Sequence, residues 1–242
     1  LLAEGLFDQG ITTVRIDKRG MFGSASAVSD PNAVTIADYV ADTEAWVSAI
    51  RATTDAPCVW LIGHSEGGLV GLAAVHEVKN LCGLVLVATA GRPLGDVIKS
   101  QLRANPSNAP LIEAADAAID RLASGQKVDV SALPPPLLPL FNPAVQDFLI
   151  STFALDPAKL VAGARLPILI VQGGSDLQVS VADAEKLKAG NPSAVLKILP
   201  NVNHVLKDVA SGSPADNLAA YTNADLPLAA GLAATIAAFV SN

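Results

Sequence analysis

Two rhythms of apolar and polar positions alternate along this chain. Short runs that are apolar at nearly every position occur at 58–62, 83–88, 167–171 and 194–199. A fifth run, 11–16 (Ile-Thr-Thr-Val-Arg-Ile), is rich in β-branched residues. Each predicts a β-strand. Between them the apolar positions recur every three or four residues, which predicts helices. Ile36, Val40, Val47 and Ile50 mark one helix, opened by a Thr35-x-x-Asp38 capping box. Leu69, Leu72, Ala73, Val75 and His76 mark a second, and 181–189 a third that Gly190 ends. Leu228, Leu232, Ile236 and Phe239 mark a terminal helix packed on the sheet. Residues 1–9 read as the end of a further helix, stopped by Gly10. Continuous apolar strands separated by helices predict an α/β domain, with a mostly parallel sheet covered by helices on both faces.

The rhythm changes over 92–166, a stretch too long for a bare loop. Leu111, Ala115, Ile119 and Leu122 predict one helix there, and Val145, Phe148, Leu149 and Phe153 another. Between these, 133–140 (Leu-Pro-Pro-Pro-Leu-Leu-Pro-Leu) predicts a stiff extended segment. The division expected is a core of 1–91 and 167–242, with 92–166 as a helical cap over an apolar pocket.

Composition narrows the function classes. Hydrophobic residues make up 51 % and charged residues 16 %, which excludes a disordered chain. The net charge of −7, with no basic cluster, argues against nucleic acid and anionic membrane surfaces. The uncharged stretch 226–242 carries Pro227 and Gly231 and is short for a membrane span. Two Cys and three scattered His give no metal-ligand spacing. Cys58 and Cys82 each begin a predicted strand, and a bridge across adjacent parallel strands is awkward, so both are expected as free thiols.

The chemistry centres on Gly63-His64-Ser65-Glu66-Gly67, between a predicted strand and a predicted helix. A serine on a strained strand-to-helix turn is held clear of the backbone as a nucleophile. Glycines at 63 and 67 are expected because a Cβ at either position would meet nearby backbone. The helix N-terminus aims the Glu66 N–H at a position where an oxyanion could form.

A serine hydroxyl needs a base, and the base needs an orienting group. His64 sits on a strand end, so its side chain is expected on the face opposite Ser65. His76 lies along the following helix, about 16 Å from Ser65 at the α-helical rise. His204 lies just past a predicted strand, at the sheet end where reactive groups gather. Asp176 follows Gly173-Gly174 at the same end and is preferred as the orienting carboxylate over Asp183, Asp147 and Asp156.

These residues resemble the α/β-hydrolase superfamily, and more narrowly bacterial carboxylesterases and serine aminopeptidase-like hydrolases. The likeness rests on Asp17-Lys18-Arg19-Gly20, the 63–68 elbow, Val171-Gln172-Gly173-Gly174-Ser175-Asp176 and Asn203-His204. It implies Ser65 as nucleophile, His204 as base, Asp176 as orienter and the Glu66 N–H as an oxyanion donor. It implies hydrolysis of a small-molecule carboxylic ester through an acyl-enzyme, with no metal or organic cofactor required. A peptidase or amidase of the same fold, and a non-catalytic binding protein on that scaffold, are the rival readings. In the resembled fold a strand lies between the one at 11–16 and the one at 58–62. That strand would stand upstream of Leu1, so the chain is expected to lack N-terminal strands and to be the C-terminal part of a longer protein.

Overall fold

The computed structural model describes residues 1–242 except Pro31, Ala210, Gly212 and Asn242. Helix α1 (Leu2–Phe7) is followed by an irregular segment and then by α2 (Ile36–Thr53). The Thr35 box opens α2: the Thr35 N–H donates to Asp38 Oδ2 at 2.9 Å. Strand β1 (Val59–His64) leads into α3 (Glu66–Ala74), and β2 (Leu81–Val87) follows. Helices α4 (Leu94–Ala104), α5 (Ile112–Ala123), α6 (Gln146–Phe153) and α7 (Pro157–Gly163) then intervene before β3 (Ile168–Gly173). The chain closes with α8 (Val181–Gly190), β4 (Val195–Leu199), α9 (Pro214–Thr222) and α10 (Leu232–Val240).

Among the described residues the strands form one sheet in the order β1-β2-β3-β4, every pair parallel. This is the α/β-hydrolase architecture. Alternate residues of the central strands serve opposite faces. Val85, Val87, Leu169 and Val171 pack with Leu6 of α1 and Leu232 and Ile236 of α10. Leu84, Leu86, Ile168 and Ile170 pack the other way, with Leu72 of α3 and Leu187 of α8. All C-terminal strand ends therefore open on one edge of the sheet, where three loops meet. Among the described residues no helix is long and apolar enough to cross a membrane.

Three expectations need correcting. Residues 11–16 form no strand; they run as irregular chain beside β1. β-Branched residues favour a strand only where a ladder and a packed face are available. Here Val14 and Ile16 are 54 % and 43 % exposed, and β1 pairs with β2 alone among the described residues. A groove of about 690 Å³ lies between this segment and β1, with Trp46 of α2 in its wall. The strands expected to bracket a missing neighbour thus neither pair with each other nor enclose a third.

The proline-rich stretch is not extended. It turns through a short 3-10 helix, Pro135–Leu137, just after another at Val130–Ala132. Proline's fixed φ suits the first positions of such a turn, where no N–H is needed. Leu137 is driven into a cluster with Ile119, Leu122, Phe141, Leu149 and Phe153, separate from the sheet core.

Cys58 and Cys82 form a disulfide, with Cα atoms 5.1 Å apart. The β1–β2 register shifts at Val59/Trp60: Val59 faces Leu81, but Trp60 faces Gly83. Cys82 is thus the extra residue of an irregular ladder, and Cys58 lies before the paired strand. This offset relieves the geometry that disfavours a bridge between regularly paired parallel strands. The bridge spans 24 residues, a loop whose closure in the unfolded chain is worth about 3 kcal/mol. Thiol titration of denatured, unreduced protein should count zero, and reduction should lower urea-unfolding stability by about that amount. Two thiols without reductant would contradict the pairing.

Candidate active site

The elbow begins with backbone. Ser65 has φ 53° and ψ −118°, a conformation that costs a non-glycine residue on the order of 1–3 kcal/mol. Its N–H donates to Val87 O at 2.9 Å, extending the β1–β2 ladder past the end of β1. A Cβ at Gly63 would lie 2.3 Å from the Gly67 carbonyl oxygen, so glycine is required there. The same expectation fails at Gly67, where an added Cβ meets nothing within 4 Å. Gly67 faces open space on the first turn of α3, and only Gly63 takes the close approach. Gly68 is the other constrained position: its Cβ would strike the Thr89 hydroxyl at 1.9 Å. Glu66 opens α3, so its N–H is among the donors a helix N-terminus leaves without an intrahelical acceptor.

The other two loops are stitched together before they reach Ser65. The Gly174 N–H donates to Leu199 O at 2.8 Å and the Ser175 N–H to Val202 O at 3.0 Å. A Cβ at Gly173 would fall 2.1 Å from Val202 O, and one at Gly174 2.4 Å from Pro200 O. The paired glycines thus let the turn after β3 lie against the loop after β4. That loop is itself closed: the Lys207 N–H donates to Asn203 Oδ1, and Leu206 takes φ 64°.

Ser65, His204 and Asp176 form one hydrogen-bonded chain. His204 Nε2 is 3.1 Å from Ser65 Oγ, and His204 Nδ1 is 2.8 Å from Asp176 Oδ2. A carboxylate only accepts, so Nδ1 carries the proton and the Nε2 lone pair faces the serine hydroxyl. The Asp176 side chain has no exposed surface. Its Oδ1 accepts from the Gln178 and Val179 N–H groups at 2.7 and 2.9 Å. Gln172 Nε2, from buried β3, donates to Oδ2 at 3.2 Å. Gln172 belongs to the site although the sequence reading gave it no role. Its signal was a lone amide in an otherwise apolar strand.

The remaining candidates lie elsewhere. Asp183, buried, accepts from Arg92 Nε at 2.9 Å and from the Ser180 hydroxyl at 2.7 Å. Burial pushes its pKa up, but Arg92 and Ser180 together outweigh this and hold it below the usual carboxylate range. Asp147 pairs with Lys127, and Asp156 caps α7. His76 bonds Leu160 O at 2.9 Å. His64 lines the groove beside β1, not the Ser65 cavity, yet it still meets the His204 loop. Its Nε2 is 2.8 Å from the main-chain oxygen of His204, and the two rings are 5.0 Å apart. Among the described residues no group of three or more His, Cys, Asp or Glu is placed to hold a metal ion.

A cavity of about 220 Å³ adjoins Ser65, walled by Leu69, Leu94, Val97 and Arg92. The Arg92 guanidinium is engaged by Asp183 and Ser100, so this wall is polar without being an uncompensated cation. On the opposite side of the elbow, Lys18 pairs with the Glu66 carboxylate. Arg19 reaches Asp42 and Asp38 of α2 at 2.7 and 3.0 Å, fixing the 17–20 loop beside the elbow.

Residues 1–207 match the family model described as serine aminopeptidase, S33. The chain belongs to this S33 family of α/β-hydrolases. Esterase EstD of Thermotoga maritima is 26 % identical over 209 residues, 85 % of this chain and 48 % of the relative. The S33 chain therefore spans about half the length of that curated protein. A hydrolase from Oleispira antarctica superposes with a TM-score of 0.59 at 15 % identity, covering 100 % of this chain and 86 % of the other. A lipase-esterase related protein from Clostridium acetobutylicum gives 0.55 at 15 % identity, covering 92 % and 88 %. Both likenesses concern the fold.

Two outcomes follow from the S33 site's local geometry. Gly63→Ala should disrupt the elbow and destabilise the fold. Gly67→Ala should leave stability unchanged or raise it by about 0.5–1 kcal/mol, since alanine is the better helix residue; thermal unfolding of both variants checks this. Because Asp183 titrates below its ordinary value, its ion pair contributes stability above about pH 3.8 that is lost as pH falls further. Asp183→Asn should flatten this part of the acid-unfolding curve, measured by circular dichroism against pH.

Proposed function

We propose that this protein is a serine hydrolase that cleaves carboxylic esters of short acyl chains through an acyl-enzyme. The observation that carries the reading is the Ser65–His204–Asp176 chain at 3.1 and 2.8 Å, at the C-terminal edge of a parallel sheet. In this mechanism Ser65 Oγ attacks the ester carbonyl while its proton passes to His204 Nε2. Asp176, held by two main-chain N–H groups, keeps the ring oriented and stabilises the imidazolium. The Glu66 N–H donates to the oxyanion. His204 then returns the proton to the departing alcohol, and a water repeats the cycle to release the acid. Helices of residues 92–166 serve as the cap, contributing Leu94 and Val97 to the acyl wall. A volume of about 220 Å³ equals roughly seven water-sized groups at about 30 Å³ each, which suits a short chain.

The family description favours a second reading, an aminopeptidase. Such an enzyme must neutralise its substrate's α-ammonium group. Glu66, the carboxylate in the lining of the Ser65 cavity, is already engaged by Lys18, and Asp183 is engaged by Arg92. That chemistry, and the esterase relative, favour an ester over a peptide.

Ser65→Ala should abolish fluorophosphonate labelling and lower ester turnover about 10⁴-fold or more, while unfolding remains cooperative. Asp176→Asn should lower kcat on the order of 10⁴-fold. Nitrophenyl esters of two to four carbons should be turned over faster than those of eight or more, and aminoacyl anilides least. Comparable turnover by Ser65→Ala protein would refute the mechanism, and preference for the anilide would favour the peptidase.

A further inference from the structure

His64 stands next to the proposed nucleophile in sequence and bonds the proposed base in space. Its Nε2 lies 2.8 Å from the His204 carbonyl oxygen. A carbonyl can only accept, so this nitrogen carries the proton and donates. We infer that His64 is a positioning residue, whose Nε2–H holds the His204 main chain at the distance from which its imidazole reaches Ser65. This inference rests on the serine-hydrolase reading above.

The argument is one of closure. His64 and Ser65 share a peptide bond. The His204 ring reaches Ser65 Oγ at 3.1 Å, and the His204 carbonyl receives His64. Nucleophile, base and anchor therefore form a small ring with only two non-covalent links. Moving His204 away from Ser65 breaks both. The bonds from Lys207 N–H to Asn203 Oδ1 and from Leu206 N–H to Asn203 O are internal to the His204 loop. They fix its shape, not its distance from the elbow. Asp176 fixes the rotation of the ring through Nδ1, but it stands on the turn after β3, not on the elbow. His64 alone of these anchors is continuous with Ser65.

The environment suits a neutral donor. The His64 ring is exposed to the groove beside β1 and lies against the His204 ring, 5.0 Å away. Partial burial, the largest effect, holds its pKa below 6.5, and the neighbouring His204 ring lowers it as well. The His204 carbonyl and the Asp176 charge oppose this without reversing it. A neutral His64 also spares the imidazolium of His204 a second positive charge 5.0 Å away.

The test uses His64→Phe, which keeps a ring and loses the donor, and His64→Gln, whose amide can donate from a similar reach. Turnover of a short nitrophenyl ester and fluorophosphonate labelling are measured below the unfolding temperature of every variant. His64→Phe should lose at least tenfold in kcat and in labelling rate, with KM within about twofold of the parent. His64→Gln should recover most of both. A side chain needed only for stability would shift the unfolding midpoint without this kcat-against-KM split and without rescue by Gln. Parent-like kcat in His64→Phe, or equal losses in both variants, overturns the inference while the hydrolase reading stands. Labelling and turnover that survive Ser65→Ala overturn both.

Discussion

The close approach of two stretches of backbone at the elbow sets everything the site can do. Gly63 admits the Gly67 carbonyl to a spot that any Cβ would occupy. Only then can Ser65 take its positive φ and α3 start immediately behind it. The strain at Ser65 is small beside the packing that maintains it: the β1–β2 ladder carried on by the Ser65 N–H, and α3 pressed on the sheet through Gly68. The turn is thus set by the fold's own backbone contacts.

The second requirement is that polar groups be settled where water is absent. Asp176 is fully enclosed, yet its two oxygens accept from two main-chain N–H groups, Gln172 and His204. A buried carboxylate with fewer donors would be costly and would exchange charge for a proton. Asp183 solves the same problem differently, through Arg92 and Ser180. The two buried acids thus have different partners. Asp176 reaches the His204 ring, and Asp183 holds α8 to the segment after β2.

The sheet is asymmetric. On the β2 side β1 is paired along its length apart from the register shift at Val59/Trp60, while beyond its other edge lies the groove toward 11–18. Ile62, in mid-strand, is 36 % exposed there. The elbow's rigidity is therefore drawn from one side, from β2, the disulfide joining Cys58 to Cys82, and α3. His64 faces the groove side, where it spans the gap to the His204 loop.

How much of this was legible in the chain follows from the range of each interaction. That Ser65, Asp176 and His204 lie together was legible because each stands in a local context that sequence specifies: a glycine-bracketed turn after an apolar run, or a loop just past a strand. The parallel core was equally plain, since strands buried on both faces are apolar throughout. What the sequence could not determine were pairings between distant segments. Residues 11–16 carry strand-forming side chains, but a strand exists only with a neighbour to complete its ladder. The prolines of 133–140 permit an extended rod or a tight turn, and burial of Leu137 selected the turn. Cys58 and Cys82 became a bridge through a one-residue offset in register. Gln172 and His64 joined the site because loops from three strands converge on them. Local chemistry and periodicity are properties of neighbours along the chain; register, convergence and burial depend on what folding brings beside them, and there the tertiary structure decided.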